Sequence, residues 1–147
     1  MSDTKDYGSP PPRTILKFFT HLNVLIYRAS GGKWGSRLAG RDICIINMKG
    51  AKTGKTRQIP LMYVPYQQGV LLVASQGGAD VHPTWYHNLV ANPAITVSVH
   101  GKELSLTARI ATPEEKLQVW PICIESYPDY EDYRHRTQRD IPVFICE

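Results

Sequence analysis

The clearest periodic signal in the chain is a pair of alternating stretches. Ile95, Val97 and Val99 alternate with Thr96 and Ser98; after His100-Gly101, Leu104, Leu106, Ala108 and Ile110 alternate with Glu103, Ser105, Thr107 and Arg109. Period-two alternation gathers the apolar side chains on one face, which predicts an antiparallel hairpin with one buried side. Two continuous apolar runs, 43–48 and 70–74, read as buried strands. The stretch 57–67 is extended by its β-branched and aromatic content, and Pro60 opposes a helix there. A last strand is expected over 141–146, at an edge or beginning at Pro142, because proline has no N–H for a ladder.

Helical spacing appears in four places. Ile15, Phe18, Phe19, Leu22, Leu25 and Ile26 recur at three- and four-residue intervals over 13–30, with Gly31-Gly32 as the stop. This helix carries Arg13, Lys17 and Arg28 on its other face, so it suits packing on the domain and also permits rest on a membrane surface. Pro83 opens a short helix that Asn92-Pro93 ends. Thr112-Pro113-Glu114-Glu115 supplies an N-cap, a first-turn proline and a capping-box glutamate; Pro121 is expected to kink or end the helix that follows. The polar stretch 129–136 reads as a further helix. The sum is an α+β chain, mainly β: about six antiparallel strands in a small barrel or half-open sheet, with an N-terminal helix and peripheral helices. Residues 1–12, with Pro10-Pro11-Pro12, read as a flexible tail, and 13–147 as a single domain.

Composition narrows the function classes. A chain of 147 residues can bury about 70% of its unfolded surface, enough for a core and a ligand cleft. No apolar run approaches the roughly 18 residues of a membrane span, and no signal-peptide pattern opens the chain. The net charge of +4 fits an acidic small ligand or an anionic lipid surface as well as a nucleic acid, but no nucleic-acid motif or long lysine stripe is present. Cys44, Cys123 and Cys146 are widely separated, which points to reduced thiols in a cytosolic setting. No metal site is expected: His82 and His87 lie five apart with no glutamate beside either, and a nucleophile elbow is also missing.

Candidate chemistry centres on Gly50-Ala51-Lys52-Thr53-Gly54-Lys55-Thr56-Arg57, three cations and two glycines in eight residues. The spacing is not that of a nucleotide P-loop, since only three residues separate Gly50 from Gly54 and a strand follows. Two readings stay open, an anion seat and a hairpin tip with solvated lysines. Tyr127, Tyr130 and Tyr133 recur every three residues; they could wall a pocket for a planar ligand or pack on the core with their hydroxyls at the surface. Trp85 faces the same choice.

Taken in order, Gly50-x-Lys52-Thr53-Gly54-x-x-Arg57, Ala74-Ser75-x-Gly77-Gly78 and Trp85-Tyr86-x-Asn88-Leu89-x-Ala91-Asn92-Pro93, together with the tyrosine triplet, resemble the signature of the deazaflavin-dependent nitroreductase family of actinobacteria. The resemblance runs from the N-terminal helix to the last strand. It implies a split β-barrel of the flavin/deazaflavin oxidoreductases, with coenzyme F420 as ligand and hydride transfer to a planar, electron-poor acceptor, a quinone or a nitroaromatic. It further implies that Lys52, Thr53, Lys55, Arg57, Pro60, Met62, Ala74, Gln76, Gly77, Gly78, Trp85 and Asn88 contact the cofactor, while Ser75 and Tyr130, with Tyr127 and Tyr133 beside them, meet the acceptor or the reactive edge. Met62 stands where the nitroimidazole-activating member has tyrosine, and Gln76 where it has lysine. A cytoplasmic protein is expected, with peripheral contact at the inner membrane face through the first helix; a coenzyme carrier and a flavin-mononucleotide oxidoreductase are the alternatives on the same fold.

Overall fold

The computed structural model describes residues 41–147 throughout, together with residues 37 and 38 and the helical residues Leu22, Val24, Leu25, Ile26 and Ala29. The expected tail over 1–12 and most of the expected first helix lie outside the described residues. Eight strands form one sheet: β1 (Arg37–Leu38), β2 (Arg41–Lys49), β3 (Thr56–Met62), β4 (Val64–Tyr66), β5 (Gly69–Val73), β6 (Ala94–Val99), β7 (Lys102–Ile110) and β8 (Val143–Cys146). Over residues 41–147 three helices accompany them, α1 (Thr84–Ala91), α2 (Pro113–Ser126) and α3 (Asp129–Arg136), and a 3₁₀ turn covers Gln76–Gly78.

The ladder runs β3–β2–β6–β7–β8–β5–β4, with every pairing antiparallel. Its two ends, β3 and β4, are consecutive in the chain and joined through Tyr63 alone, whose N–H donates to the Asp42 carbonyl at 3.0 Å. The sheet therefore curls back on itself as a split barrel. The His100-Gly101 turn has positive φ at both residues (50° and 77°), the twist a two-residue hairpin prefers.

Strand alternation sorts the apolar side chains into two cores. Cys44, Ile46, Met48, Val70, Leu72, Val97, Phe144 and Cys146 point inside the barrel, where Trp85 and Leu89 of α1 close one end. Leu71, Val73, Val143 and Ile145 point the other way, under Val119 and Cys123 of α2 and Tyr130 of α3. Strands β5 and β8 are thus buried on both faces, which explains their unbroken apolar runs. Helix α2 starts at the capping box: Thr112 Oγ1 accepts from the Glu115 N–H at 3.2 Å while the Glu115 carboxylate accepts from the Thr112 N–H at 2.8 Å.

The structure corrects one expectation and narrows two others. The count is eight strands, because the extended stretch 57–67 breaks at Tyr63 to cross between sheet halves and the two-residue β1 adds to the edge of β2. Helix α2 continues through Pro121 to Ser126. The bond lost there is to the Leu117 carbonyl, and both residues lie on the solvent side, Leu117 with 79% of its surface exposed, so water can replace it. Of the two places expected for the last strand, the structure has the second: β8 begins just after its proline, in the sheet interior between β7 and β5. Pro142 escapes the ladder by sitting just before it.

Candidate functional site

The Gly50–Arg57 stretch is the tip of the β2–β3 hairpin. Gly50 N–H donates to the Lys55 carbonyl at 2.8 Å, Gly54 N–H to the Gly50 carbonyl at 2.9 Å, and Lys55 N–H to Thr53 Oγ1 at 3.2 Å. Thr53 thus turns its hydroxyl onto the loop itself. A Cβ on the buried Gly50 would lie 3.6 Å from Arg57 Nε, so the guanidinium folds back over the turn. Lys52, Lys55 and Arg57 are all exposed, and no carboxylate among the described residues pairs with them. Like charges gathered without counter-ions make a local positive field that an anion would relieve.

Helix α1 braces this tip from behind. Asn88, 8% exposed, accepts the Ala51 N–H on Oδ1 at 2.9 Å and directs Nδ2 to Met48 Sδ at 3.7 Å; Asn92 Nδ2 reaches the Lys49 carbonyl at 3.4 Å. Trp85, 5% exposed, packs its ring 5.7 Å from that of Phe144. Asn88 thereby fixes the seat and Trp85 anchors α1 against the barrel.

At the opposite end of α1, residues 74–79 form a tight loop. Gly78 N–H donates to the Ser75 carbonyl at 2.9 Å and Ala79 N–H to the Gln76 carbonyl at 3.1 Å. Gln76, Gly77 and Gly78 are consecutive left-handed residues, at φ 46°, 63° and 84°. Holding the one L side chain among them, Gln76, in that region costs about 1–2 kcal/mol. Gly78 is required twice over, because a Cβ there would also lie 2.7 Å from the Tyr133 carbonyl and 2.7 Å from Arg136 Cβ. Helix α3 therefore lies directly on the loop, at the Tyr133 carbonyl and the Arg136 side chain. Arg136 Nη1 donates to the Gly77 carbonyl at 2.9 Å. Arg139, which no sequence signal singled out, grips the same loop through its guanidinium.

The three phenols do cluster. Ring centroids lie 4.9 Å apart for Tyr127 and Tyr130, 6.2 Å for Tyr130 and Tyr133, and the Tyr127 and Tyr133 hydroxyls bond to each other at 3.0 Å. Burial, then the Tyr133 hydroxyl, pushes the Tyr127 phenol upward. Tyr130 is 5% exposed, and burial first, then Cys123, Cys44 and the other two phenols, holds it well above its ordinary value, so it stays protonated. Its hydroxyl has no hydrogen-bond partner among the described residues. The same holds for the hydroxyl of Ser75, also 5% exposed. Buried hydroxyls are nearly always bonded, so each of these two has hydrogen-bonding capacity to offer a ligand or a water. On β3, Pro60 and Met62 share the face opposite Ile59 and Leu61, and Met62 packs against the phenol-bearing core. Ala74 is buried where β5 ends, bonding its N–H to the Pro142 carbonyl at 2.9 Å.

A family model described as F420H(2)-dependent quinone reductase matches residues 19–147. The chain belongs to that family. An F420H(2)-dependent quinone reductase of Mycobacterium tuberculosis is 36% identical over 128 residues, covering 84% of this chain and 86% of the relative; a second mycobacterial protein, named as a putative quinone reductase of the same kind, is 31% identical over 101 residues, 69% of this chain and 85% of its own. A solved F420-H2 dependent reductase (FDR-A) superposes with a TM-score of 0.66 at 44% identity, over 71% of this chain and 93% of its own. Another structure, described as a domain-swapped dimer, gives 0.69 at 37% identity over 93% and 100%. The residues of this reductase fit a deazaflavin. Unpaired cations at the hairpin tip suit its anionic tail, and the unpartnered Ser75 and Tyr130 hydroxyls suit a flat ligand carrying polar atoms.

Proposed function

We propose that the chain is an oxidoreductase that passes a hydride from reduced F420 to a quinone. The observation that carries this reading is the pair of buried, unpartnered hydroxyls, Ser75 and Tyr130, on elements packed against each other beside two further phenols. When bound, reduced F420 supplies the hydride, a carbon-borne pair of electrons. The chain's own residues bind, orient and polarise. Lys52, Lys55 and Arg57 take the anionic tail by charge-assisted hydrogen bonds. Tyr130, kept neutral by burial, donates from its hydroxyl to the acceptor oxygen on which negative charge grows as the quinone is reduced. Ser75 fixes the orientation of the reacting edge, and the Tyr127–Tyr133 hydroxyl pair walls the site. Quinone plus one hydride and one proton gives hydroquinone, so a protonated donor is what the acceptor side needs.

Met62 supports a quinone ahead of nitroimidazoles, because a thioether at that wall offers packing and no hydrogen-bond donor. A membrane-borne quinone also gives the first helix a task. Leu22, Leu25 and Ile26, at helical spacing, are exposed, while Val24 is buried with Ile45. The contact we infer is peripheral, from the cytoplasmic side; among the described residues no helix is long and apolar enough to cross a membrane. Two experiments test these readings. Titration with reduced F420 should show saturable binding, followed by loss of the reduced form when menadione is added; binding without oxidation supports a carrier, and binding of flavin mononucleotide alone supports the flavin enzyme. Co-sedimentation with anionic vesicles tests the membrane contact, and a protein that stays in the supernatant removes it.

A further inference from the structure

Arg139 has a role that the reaction described so far does not include. Its guanidinium donates from Nε to the Ala79 carbonyl at 2.8 Å, and from Nη2 to the Ala74 and Ser75 carbonyls at 3.0 and 2.9 Å. Nη1 lies 3.1 Å from His82 Nδ1. Every one of these partners is neutral, and no carboxylate among the described residues lies within ion-pair distance of the guanidinium. A partly buried cation that ends on three backbone carbonyls and an imidazole is solvated by one loop in place of water. That loop carries Ser75, and both of the carbonyls that Nη2 holds flank the Ser75 residue, one from its own peptide and one from the peptide before it.

The grip is matched to an awkward segment. Three consecutive left-handed residues do not hold such a conformation unaided, and the backbone bonds inside the turn number only two, from Gly78 and Ala79. Thr137 adds a second tie through its hydroxyl to Asp80 Oδ1 at 2.8 Å, so the chain between α3 and β8 is stitched along the whole loop. The planar fork of five donors is what lets one side chain reach acceptors five residues apart in sequence; a lysine at the same place could reach one or two. We propose that Arg139 is a positioning residue for the hydride-transfer site, fixing the Ser75 backbone and so the orientation of its hydroxyl. The inference rests on the reading of Ser75 given above.

Three readouts test it, on the full chain with Arg139→Ala and Arg139→Lys. Hydrogen exchange of the Gly78 and Ala79 amides, whose bonds close the turn, should quicken by about tenfold or more in both variants, with strand amides of β5 and β8 unchanged. Turnover of menadione by reduced F420 should fall by about tenfold or more, with the dissociation constant for F420 changed by less than about threefold. Added guanidinium ion should restore part of the Arg139→Ala turnover and none of the Arg139→Lys turnover, since an open polar depression of about 510 Å3, lined by Asp80, Arg136, Thr137, Gln138 and Arg139, gives it access. Unchanged exchange overturns the clamp. Faster exchange with wild-type turnover, or a loss that guanidinium does not relieve, shows a merely structural side chain and overturns the positioning role. A wild-type chain that binds no F420 sinks the functional reading instead, and the exchange result still decides whether the clamp exists.

Discussion

Gly78→Ala is the substitution that most sharply separates backbone strain from close approach. At φ 84° an alanine costs about 1–2 kcal/mol for its left-handed Cβ alone. Its Cβ would also stand 2.7 Å from the Tyr133 carbonyl and from Arg136 Cβ, well inside ordinary contact, so α3 must back away. Overpacking of this kind costs roughly 1–3 kcal/mol more. The sum, about 2–5 kcal/mol, corresponds to a fall in Tm of roughly 4–20 °C for a domain of this size. Gly54→Ala is the control. Its φ is 67°, but nothing lies within 4 Å of the added Cβ, so only the first cost applies, about 1–2 kcal/mol or roughly 2–8 °C. Paired thermal and denaturant melts measure both variants. Because α3 carries Tyr130 and Tyr133, Gly78→Ala should also lower quinone turnover per folded molecule. Equal destabilisation of the two variants would refute the close contact between α3 and the loop.

Other outcomes follow from the same geometry. Tyr130→Phe should leave Tm unchanged or raise it, since its hydroxyl has no described partner to lose, while turnover drops on the order of 100-fold; wild-type turnover would remove its role as donor. Arg57→Ala should weaken F420 binding by about 1–2 kcal/mol, and added salt should weaken the wild type more than the variant, as calorimetric titration would show. Asn88→Ala leaves the Ala51 N–H without its partner and should cost about 1 kcal/mol in a chemical melt, together with weaker F420 binding through a loosened hairpin tip. Burial, then Arg139 and His87, holds His82 below its ordinary value of 6.5 against a smaller opposing pull from Asp140. The folded chain thus binds fewer protons than the unfolded one just below that value, so this contribution to stability is full above 6.5 and is lost as the pH falls towards the folded value; His82→Gln should flatten that part of a Tm-against-pH curve.

Strand positions were readable wherever a side chain's neighbours along the chain decided its environment. The β6–β7 hairpin, the capping box at Thr112 and the helix after Pro83 all follow from local pattern, and the structure has each. Whether Pro121 ends its helix could not be read from sequence because that depends on which way the helix faces, and a solvent-facing proline leaves a carbonyl that water can satisfy. Edge or interior placement of β8 was likewise invisible, since it depends on partners some 35 to 75 residues away, Ala108 through Ile110 on one side and Val70 through Val73 on the other. The cation seat, the glycine loop and the tyrosines were visible as residue types, and the fold lays the helix that carries Tyr130 and Tyr133 on the glycine loop. What pattern could not assign was division of labour. Trp85 and Asn88 were singled out as ligand contacts, and in space each also engages the protein, one against Phe144 and the other at the Ala51 N–H. Arg139 looks like one more surface cation and instead holds the loop through bonds that span 57 to 65 positions.

The central claim is best tested by following deazaflavin absorbance in a mixture of the purified chain and reduced F420 to which menadione is added. Catalysed return of the oxidised spectrum, at a rate that saturates with both reactants and falls in Tyr130→Phe, is the predicted result. Tight binding of reduced F420 with no oxidation above the uncatalysed rate, or no binding at all, would contradict it.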